Sequence, residues 1–341
     1  MARIFTDGAE FGDMLFWNGG TSGTADVSSV VKRTGNYSYT SNSSGANSGE
    51  MVRLLDSAIS AGYLRFGLNI APGGGENTIL KFRKGSTVID SLRYDESVNL
   101  LKAYRGDAAN LLGTSSIPLL DNTWHLIEIY LNIHDTTGVF DVKIDGTAAI
   151  TAENVDTKPG ADADFDNLSF LTPAGSFEFM YLDDLALNDT TGGSDNSWCN
   201  DGYVIAIDPD GNGDVSQLTN SNATSVDNYS YVDETPPDGD TSYVEGTTAG
   251  HQDLYTIADY SGTGKTIRRV FVESRAKSTG AVGDLMKLIL KTGGTVYASS
   301  DISLGAAYTA VVGTDHTVNP ATAVAWVEAD IDALQIGEEV V

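Results

Sequence analysis

Apolar and polar residues alternate along most of this chain, and this two-residue period limits the folds open to it more than any other feature. Residues 62–70 (GYLRFGLNI), 124–133 (WHLIEIYLNI) and 177–187 (FEFMYLDDLAL) are examples. Successive side chains of a strand point to opposite faces, so such segments predict strands that are buried on one side. Helical periodicity is almost absent from the first 190 residues. We therefore predict an all-β chain of antiparallel sheets.

Short glycine-containing breaks separate several of these segments and predict hairpin turns. Lys84-Gly85-Ser86 and Thr292-Gly293-Gly294 each lie between two alternating runs, and residues 134–138 (HDTTG) separate the run at 124–133 from the run VFDVKIDG. Glycine and Asp-Gly pairs favour the tight turns that join antiparallel strands. Residues 266–277 (TIRRVFVESRAK) also alternate and predict one further strand in the second half.

The length of 341 residues suits two domains. Residues 188–202 (NDTTGGSDNSWCNDG) are small, polar and rich in glycine, as in a boundary segment. We predict two tandem antiparallel β-sandwich (jelly-roll) domains, residues 1–190 and 203–341, joined by a linker at 191–202. The second domain should contain one short helix at residues 329–334, which Gly337 would stop.

The chain is strongly acidic, with 20 Lys and Arg against 47 Asp and Glu and a net charge of −27. Such a surface repels nucleic acid and anionic membranes, and it attracts divalent cations. The single cysteine, Cys199, excludes an internal disulfide framework. The N-terminus has no signal-peptide pattern, and no apolar run is long enough for a membrane helix. We expect synthesis in a host cytoplasm, without membrane insertion and without a nucleic-acid partner.

Three patterns in the first half carry a family resemblance. They are a Trp-His pair that opens a long strand (DNTWHLIEIYLN, 121–132), the turn at the end of VKIDG (142–146), and the two ends of the half, IFTDGAEFGDMLFWNGG (4–20) and FMYLDDLALND (179–189). Residues 1–190 thus resemble the concanavalin A-like, laminin-G-like jelly-roll family. The resemblance implies that the first and last strands of this domain lie side by side. It does not fix a function, because the fold hosts lectins, glycosidases, adhesion modules and spacers.

The second half is similar to C-terminal β-domains of tailed-phage virion proteins. The likeness rests on residues 227–244 (DNYSYVDETPPDGDTSYV) and 319–337 (NPATAVAWVEADIDALQIG). It implies a place in a virion, with other virion proteins, such as major capsid or tail proteins, as partners.

Residues 208–214 (DPDGNGD) match the first half of a calcium loop, in which alternate residues supply oxygen ligands. An EF-hand is excluded because loop position 12 is Thr219 and because residues 203–207 predict a strand rather than a helix. Two readings stay open: a calcium site in a β-loop, or a turn in which Gly211 and Gly213 supply positive φ angles. The candidate ligands are Asp208, Asp210, Asn212 and Asp214.

A second candidate calcium site follows from the pairing of the first and last strands. The resemblance implies that a structural calcium would lie there, among Asp7, Glu10, Asp183 and Asp184. Like charges placed together need a cation or solvent. The alternative is that Asp183 and Asp184 point to opposite faces of one strand, so that only one of them could bind an ion.

No catalytic pattern is evident. Glycosidases use two carboxylates across a cleft, but Glu128 on its predicted strand has no alternating acidic partner. A Ser-His-Asp arrangement stays open on composition, although the G-x-S-x-G motif is missing. We expect that the chain is not an enzyme.

Aromatic residues near predicted loops could stack on sugars. These are Trp17, Tyr37, Tyr39 and Tyr104, whereas Trp124 and Trp326 lie in apolar alternation and are predicted to be core residues.

These observations favour a non-enzymatic structural component of a tailed-phage virion, as a head-surface decoration or tail protein. It would form a homo-oligomer and could adhere to host or environmental glycans. The alternative is a lectin-like glycan-binding module of a bacterial surface system that depends on calcium. No cofactor is implied with certainty, and structural calcium is the one candidate.

Overall fold

The computed structural model describes residues 3–43, 48–71, 73–107, 110–175, 179–260, 262, 264–280 and 284–341. Nearly all of its regular structure is antiparallel strand, so the predicted all-β, sandwich-type fold class is confirmed. The chain divides into two compact units, Met1–Ile205 and Ala206–Val341. Within the described residues, no helix is long and apolar enough to cross a membrane.

The described part of the first unit contains sixteen strands. They are β1 (Arg3–Asp7), β2 (Gly20–Gly23), β3 (Asp26–Ser28), β4 (Ser38–Ser41), β5 (Gly49–Ile59), β6 (Ala61–Ala71), β7 (Glu76–Lys84), β8 (Thr87–Asp95), β9 (Leu100–Arg105), β10 (Asn110–Thr114), β11 (His125–Asn132), β12 (Gly138–Ile144), β13 (Thr147–Ile150), β14 (Glu153–Val155), β15 (Phe165–Thr172) and β16 (Phe179–Asp189). The strand predicted at residues 177–187 is β16, and residues 177 and 178 lie outside the described residues.

Two sheets enclose the core of this unit. The nine-stranded sheet has the order β13-β12-β11-β6-β16-β4-β3, with β1 on β16 and β14 on β12, and the seven-stranded sheet has the order β10-β9-β8-β7-β15-β5-β2. Rings from the two sheets meet between them: the Phe66 and Phe170 centroids are 5.0 Å apart, and those of Phe82 and Phe140 are 6.0 Å apart. The pairing of β1 with β16 confirms that the first and last strands lie side by side.

The hairpin predicted at residues 134–138 joins β11 to β12, and a further tight turn follows β12. Asp145 and Gly146 have φ angles of 51° and 78° and join β12 to β13. Positive φ at both central positions defines the turn type that matches the twist of antiparallel strands. The predicted turn at Gly85, which has a φ angle of 56°, joins β7 to β8, and Lys84 lies opposite Thr87.

Residues 191–202 are not a free linker, because they belong to the first unit and their C-terminal part lies on the nine-stranded sheet. The Asn200 N–H donates to Glu128 at 2.7 Å, and the Arg65 guanidinium donates to the Asn200 carbonyl at 3.3 Å. The Trp198 ring packs against Tyr63, with centroids 5.4 Å apart. These contacts make Glu128, which is 2% exposed, a structural group under the segment.

The described part of the second unit contains ten strands and two short helices. They are β17 (Pro209–Ser216), β18 (Thr219–Asn220), a 3₁₀ helix (Asn228–Tyr231), β19 (Val244–Glu245), β20 (Gln252–Ile257), β21 (Glu273–Ala276), β22 (Leu285–Thr292), β23 (Thr295–Ala298), β24 (Ile302–Ser303), β25 (Thr309–Val312), α1 (Glu328–Ile331) and β26 (Gln335–Val340). The predicted C-terminal helix is therefore a single turn. The strand predicted at residues 266–277 is reduced to β21.

A six-stranded sheet with the order β17-β20-β26-β22-β23, with β24 on β22, forms the main layer of the second unit. Two-stranded sheets β18-β19 and β21-β25 accompany it. Trp326 is 4% exposed and packs in the core of this unit, as predicted. Gly293 and Gly294 have φ angles of 57° and 78° and close the predicted turn between β22 and β23.

Candidate functional site

A bulge in β16 places two neighbouring aspartates on the same side of the strand. The pairing of β16 with β6 shifts register between Asp183 and Ala186, and Asp184 has a φ angle of 51°. An extra residue in a strand breaks the alternation of side chains, and aspartate tolerates this left-handed backbone better than most residues. Both aspartates are fully buried. The expectation that they point to opposite faces is wrong for this reason.

Both carboxylates bind the segment that contains Arg33 and Thr34. Asp183 Oδ2 accepts hydrogen bonds from the backbone N–H groups of Arg33 at 2.8 Å and Thr34 at 3.1 Å. Asp184 Oδ2 accepts from the Arg33 guanidinium at 2.7 Å. Its Oδ1 accepts from the Thr34 hydroxyl and from the Val204 N–H, both at 2.8 Å. No local sequence pattern indicates the role of Arg33, because its partners lie about 150 residues away along the chain.

Asp7 and Glu10 approach these aspartates from the end of β1. Asp7 Oδ1 accepts hydrogen bonds from the Tyr39 hydroxyl at 2.6 Å and from the Ala9 N–H at 2.8 Å. Glu10 Oε2 accepts from the Asn36 N–H at 2.8 Å, whereas Glu10 Oε1 is buried and has no hydrogen-bond partner. A Cβ atom at Gly35 would lie 2.1 Å from that oxygen, so glycine leaves the space that the carboxylate fills.

The charges of this acidic cluster (Asp7, Glu10, Asp183 and Asp184) interact. Burial raises the pKa of Glu10 to about 7, and the negative charges of Asp184 and Asp7 add to this rise. Burial, followed by the charge of Asp184, raises the pKa of Asp183 to about 8. The cluster therefore holds protons near neutral pH unless a cation replaces them.

The chemistry of the cluster suits a hard cation in part. Carboxylate oxygens are the ligands that calcium prefers. Glu10 Oε1 accepts no hydrogen bond, so it is an oxygen that could bind an ion. The oxygens of Asp183 and Asp184, however, already accept bonds from Arg33 and Thr34. In the described residues, no three His, Cys, Asp or Glu side chains converge on one point as an ion would require. The structure thus brings the four predicted residues together but does not form a complete ion cage from their side chains.

The four residues of the other candidate site do not converge. The prediction of a strand at residues 203–207 is wrong, because these residues are not a strand. The prediction of a loop or turn at 208–214 is also wrong, because residues 209–216 form the strand β17. Pairing with β20 extends this segment as a strand that advances about 6.6 Å for every two residues, instead of closing it into a loop around one point. The side chains of Asp208, Asp210, Asn212 and Asp214 are instead exposed along the strand.

Separate partners hold three of these side chains. Asp210 accepts a hydrogen bond from the Thr256 hydroxyl at 2.8 Å, Asn212 donates to Asp227 at 3.0 Å, and Asp214 forms an ion pair with Lys291.

The glycines of this segment have a role other than the predicted one. Neither Gly211 nor Gly213 has a positive φ angle among the backbone angles of the described residues. A Cβ atom at Gly213 would lie 2.6 Å from the Leu254 carbonyl oxygen, and one at Gly211 would lie 2.7 Å from the Thr256 hydroxyl. These glycines therefore allow β17 to approach β20 closely.

His125 and Asp145 form the one pair that resembles part of a catalytic triad among the contacts we describe. His125 Nδ1 lies 2.7 Å from Asp145 Oδ2, and His125 Nε2 accepts a hydrogen bond from the Leu120 N–H at 2.9 Å. A general base needs its outer nitrogen for the nucleophile. Here a backbone amide occupies that nitrogen, so the pair fastens the loop before β11.

The aromatic candidates for sugar stacking divide into buried and bonded groups. Trp17 and Tyr39 are 3% and 1% exposed and belong to the core. Tyr104 is partly buried, donates to Glu76 at 2.9 Å and lies beside the Arg93 guanidinium. Trp124, predicted to be a core residue, is only partly buried.

No protein-family model matches the chain, and no curated protein matches it. Among solved structures, the cellulose-induced protein Cip1 is similar at 16% identity and a TM-score of 0.45, over 58% of this chain and all (100%) of that chain. A carbohydrate esterase from the Shiga toxin-encoding bacteriophage phi24B matches at 16% identity and a TM-score of 0.41, over 55% of this chain and 97% of the other. The carbohydrate-binding module CBM66 of Bacillus subtilis matches at 13% identity and a TM-score of 0.34, over 50% and 96%. These likenesses are too remote to carry an argument about function.

Proposed function

We propose that this protein is a non-enzymatic structural component of a tailed-phage particle, in the tail or on the head surface. The observation that supports this most is that the acidic and histidine side chains we considered as catalytic candidates form hydrogen bonds and ion pairs that hold loops and strands in place. The His125–Asp145 pair fastens a loop, Glu128 anchors the segment that covers the sheet, and Glu76 binds Lys102 at 2.6 Å and Arg93 at 3.0 Å. Side chains committed in this way suit a rigid scaffold better than a catalytic cleft.

Two β-units suit a part that must stay rigid in a particle. Most backbone groups of a sheet are bonded to neighbouring strands, and a sandwich leaves few strand edges open to wrong pairing. The partners would be other virion proteins and further copies of this chain. Adhesion to glycans would be an additional role of the first unit.

We expect the chain to sediment with intact particles. Particles banded on a density gradient would be analysed by quantitative mass spectrometry, with the major capsid protein as the internal standard. The expected result is a fixed ratio of this chain to the capsid protein across the band. Recovery of the chain only from the soluble lysate, after all particles are removed, would contradict the proposal.

A second candidate function is a calcium-dependent, lectin-like module of a bacterial surface system. The observation that favours it is the unbonded Oε1 of Glu10 inside a group of four acids. Binding to a glycan array that is lost on chelation would favour this candidate over the virion role.

If this second candidate is right, calcium should raise the thermal unfolding midpoint of the first unit. A ligand at 100 times its Kd stabilises the folded state by about 2.7 kcal/mol, which corresponds to a shift of a few degrees. Glu10→Gln should abolish the shift, because it removes the negative charge of the side chain that contains the unbonded Oε1. Asp210→Asn is the matched control on β17 and should leave the shift intact. Equal midpoints in millimolar calcium and in excess chelator would exclude a calcium site.

A further inference from the structure

The C-terminal strand of the second unit contains a carboxyl group that faces two other acidic groups. Glu338 lies on β26, which pairs with β20 on one side and β22 on the other. Asp253 of β20 is its cross-strand partner, and Tyr255 is two residues further along β20. The last strand of the chain is thus an inner strand of the sheet, next to a fully buried aspartate.

Hydrogen bonds connect Asp253, Tyr255 and Glu338 into one buried group. Asp253 Oδ1 accepts from the backbone N–H groups of Gln217 at 2.6 Å and Leu218 at 2.8 Å, and Oδ2 accepts from the Asn228 amide. These three N–H donors occupy both oxygens of the Asp253 side chain. The Tyr255 hydroxyl lies 2.5 Å from Glu338 Oε1 and 3.3 Å from Asp253 Oδ2. The Tyr255 hydroxyl has one proton, so it can donate a hydrogen bond to only one of these two carboxyl groups at a time.

The neighbours that face Glu338 supply no positive charge. β20 presents Asp253 and Tyr255, the 3₁₀ helix presents Asn228 to Asp253, and β22 places Leu288 opposite Glu338. In the part of the chain that is described, no ion pair includes Glu338.

Glu339, the residue next to Glu338, has a positively charged partner. Glu339, which must point to the opposite face of β26, pairs with Lys287 at 3.2 Å. Burial, followed by the charge of Asp253, raises the pKa of Glu338 to about 8, whereas its bond with Tyr255 lowers it.

We propose that a proton on Glu338, held against Tyr255 and Asp253, fastens β26 into its sheet, and that loss of this proton loosens the strand. The sign follows from linkage. A carboxyl group with a raised pKa contributes stability that is complete below its ordinary value of 4.5. That contribution is lost as the pH rises through about 8. The second unit should therefore be a pH-sensitive element that tightens in acid.

Hydrogen exchange of the full chain, measured by mass spectrometry at pH 6 and pH 9, tests the proposal. Rates are divided by those of the unfolded chain at each pH. Between pH 6 and about 8 each pH unit lowers the stability from this proton by about tenfold in the opening equilibrium, so the protection of β26 should fall roughly a hundredfold from pH 6 to pH 9. Peptides from β11 of the first unit serve as the internal reference and should not show this loss.

Two variants separate the titration of Glu338 from general loosening. Glu338→Gln keeps a hydrogen-bonding group beside Tyr255 but cannot ionise, so β26 should remain protected at pH 9. Glu339→Gln is the matched control and should behave as the natural chain does. Equal protection of β26 at both pH values in the natural chain would overturn the proposal, even if Glu338→Gln failed to fold. So would an unchanged pH dependence in Glu338→Gln.

Discussion

Replacing Asp184 with alanine is expected to lower the free energy of unfolding of the first unit by about 3–5 kcal/mol. The side chain is fully buried and accepts bonds from the Arg33 guanidinium, the Thr34 hydroxyl and the Val204 N–H. Its removal leaves three donors without this acceptor, one of them charged. Alanine also fits the left-handed backbone at this position poorly. Urea unfolding, followed by the exposure of Trp17 in the core of this unit, measures the change.

Two control variants show which part of this loss comes from the charge. Asp184→Asn retains the backbone preference and one acceptor oxygen, so we expect roughly half of the loss. Asp201 is the second carboxylate that binds Arg33, and its own side chain is 57% exposed. Asp201→Ala should therefore lower the free energy of unfolding by less than about 1 kcal/mol. If Asp184→Ala cost no more than Asp201→Ala, the acidic cluster would not stabilise the first unit.

Replacing Asp90 with leucine is expected to stabilise the first unit by about 1–3 kcal/mol near pH 7. Asp90 is opposite Phe82 on β7 and on the same face of β8 as Leu92, so it points into the core. It is fully buried, and neither carboxylate oxygen has a hydrogen-bond partner. Its neighbour on β9, Arg105, forms its ion pair with Asp156 instead. Leucine has the same branched side-chain skeleton as aspartate, with larger methyl groups in place of the two oxygens, and it removes the unmet polar group.

The stability gained by Asp90→Leu should increase as the pH rises. Burial raises the pKa of Asp90 well above 3.8. The folded state therefore binds a proton that the unfolded state releases, so the natural chain loses stability as the pH rises above about 4. Denaturant unfolding at pH 5 and pH 8 should show a larger gain from Asp90→Leu at pH 8. Ser91→Ala on the opposite face of β8 is the control for substitution in this strand. A loss of stability in Asp90→Leu at both pH values would contradict this account.

The periodicity of the sequence determined the main strands of the first unit, whereas residues 203–207 alternate without forming a strand. Alternation at residues 62–70 and 124–133 predicted β6 and β11, and the breaks at Gly85 and Gly293-Gly294 predicted tight turns. These features depend on neighbours within a few residues, so the sequence carries them directly. The short C-terminal turn of helix could be predicted on the same basis.

The tertiary structure alone decided how the acidic side chains are used. The bulge at Asp184 depends on the register between β16 and β6, and its stabilising partner Arg33 is about 150 residues away. The segment from 208 to 214 has the composition of a calcium loop, but pairing with β20 extends it and separates its oxygens. Residues 191–202 have the composition of a linker, yet bonds to Arg65 and Glu128 fasten their end to the first unit. In each case a distant backbone or a buried charge outweighed the local preference, and a one-dimensional pattern contains no information about such a partner.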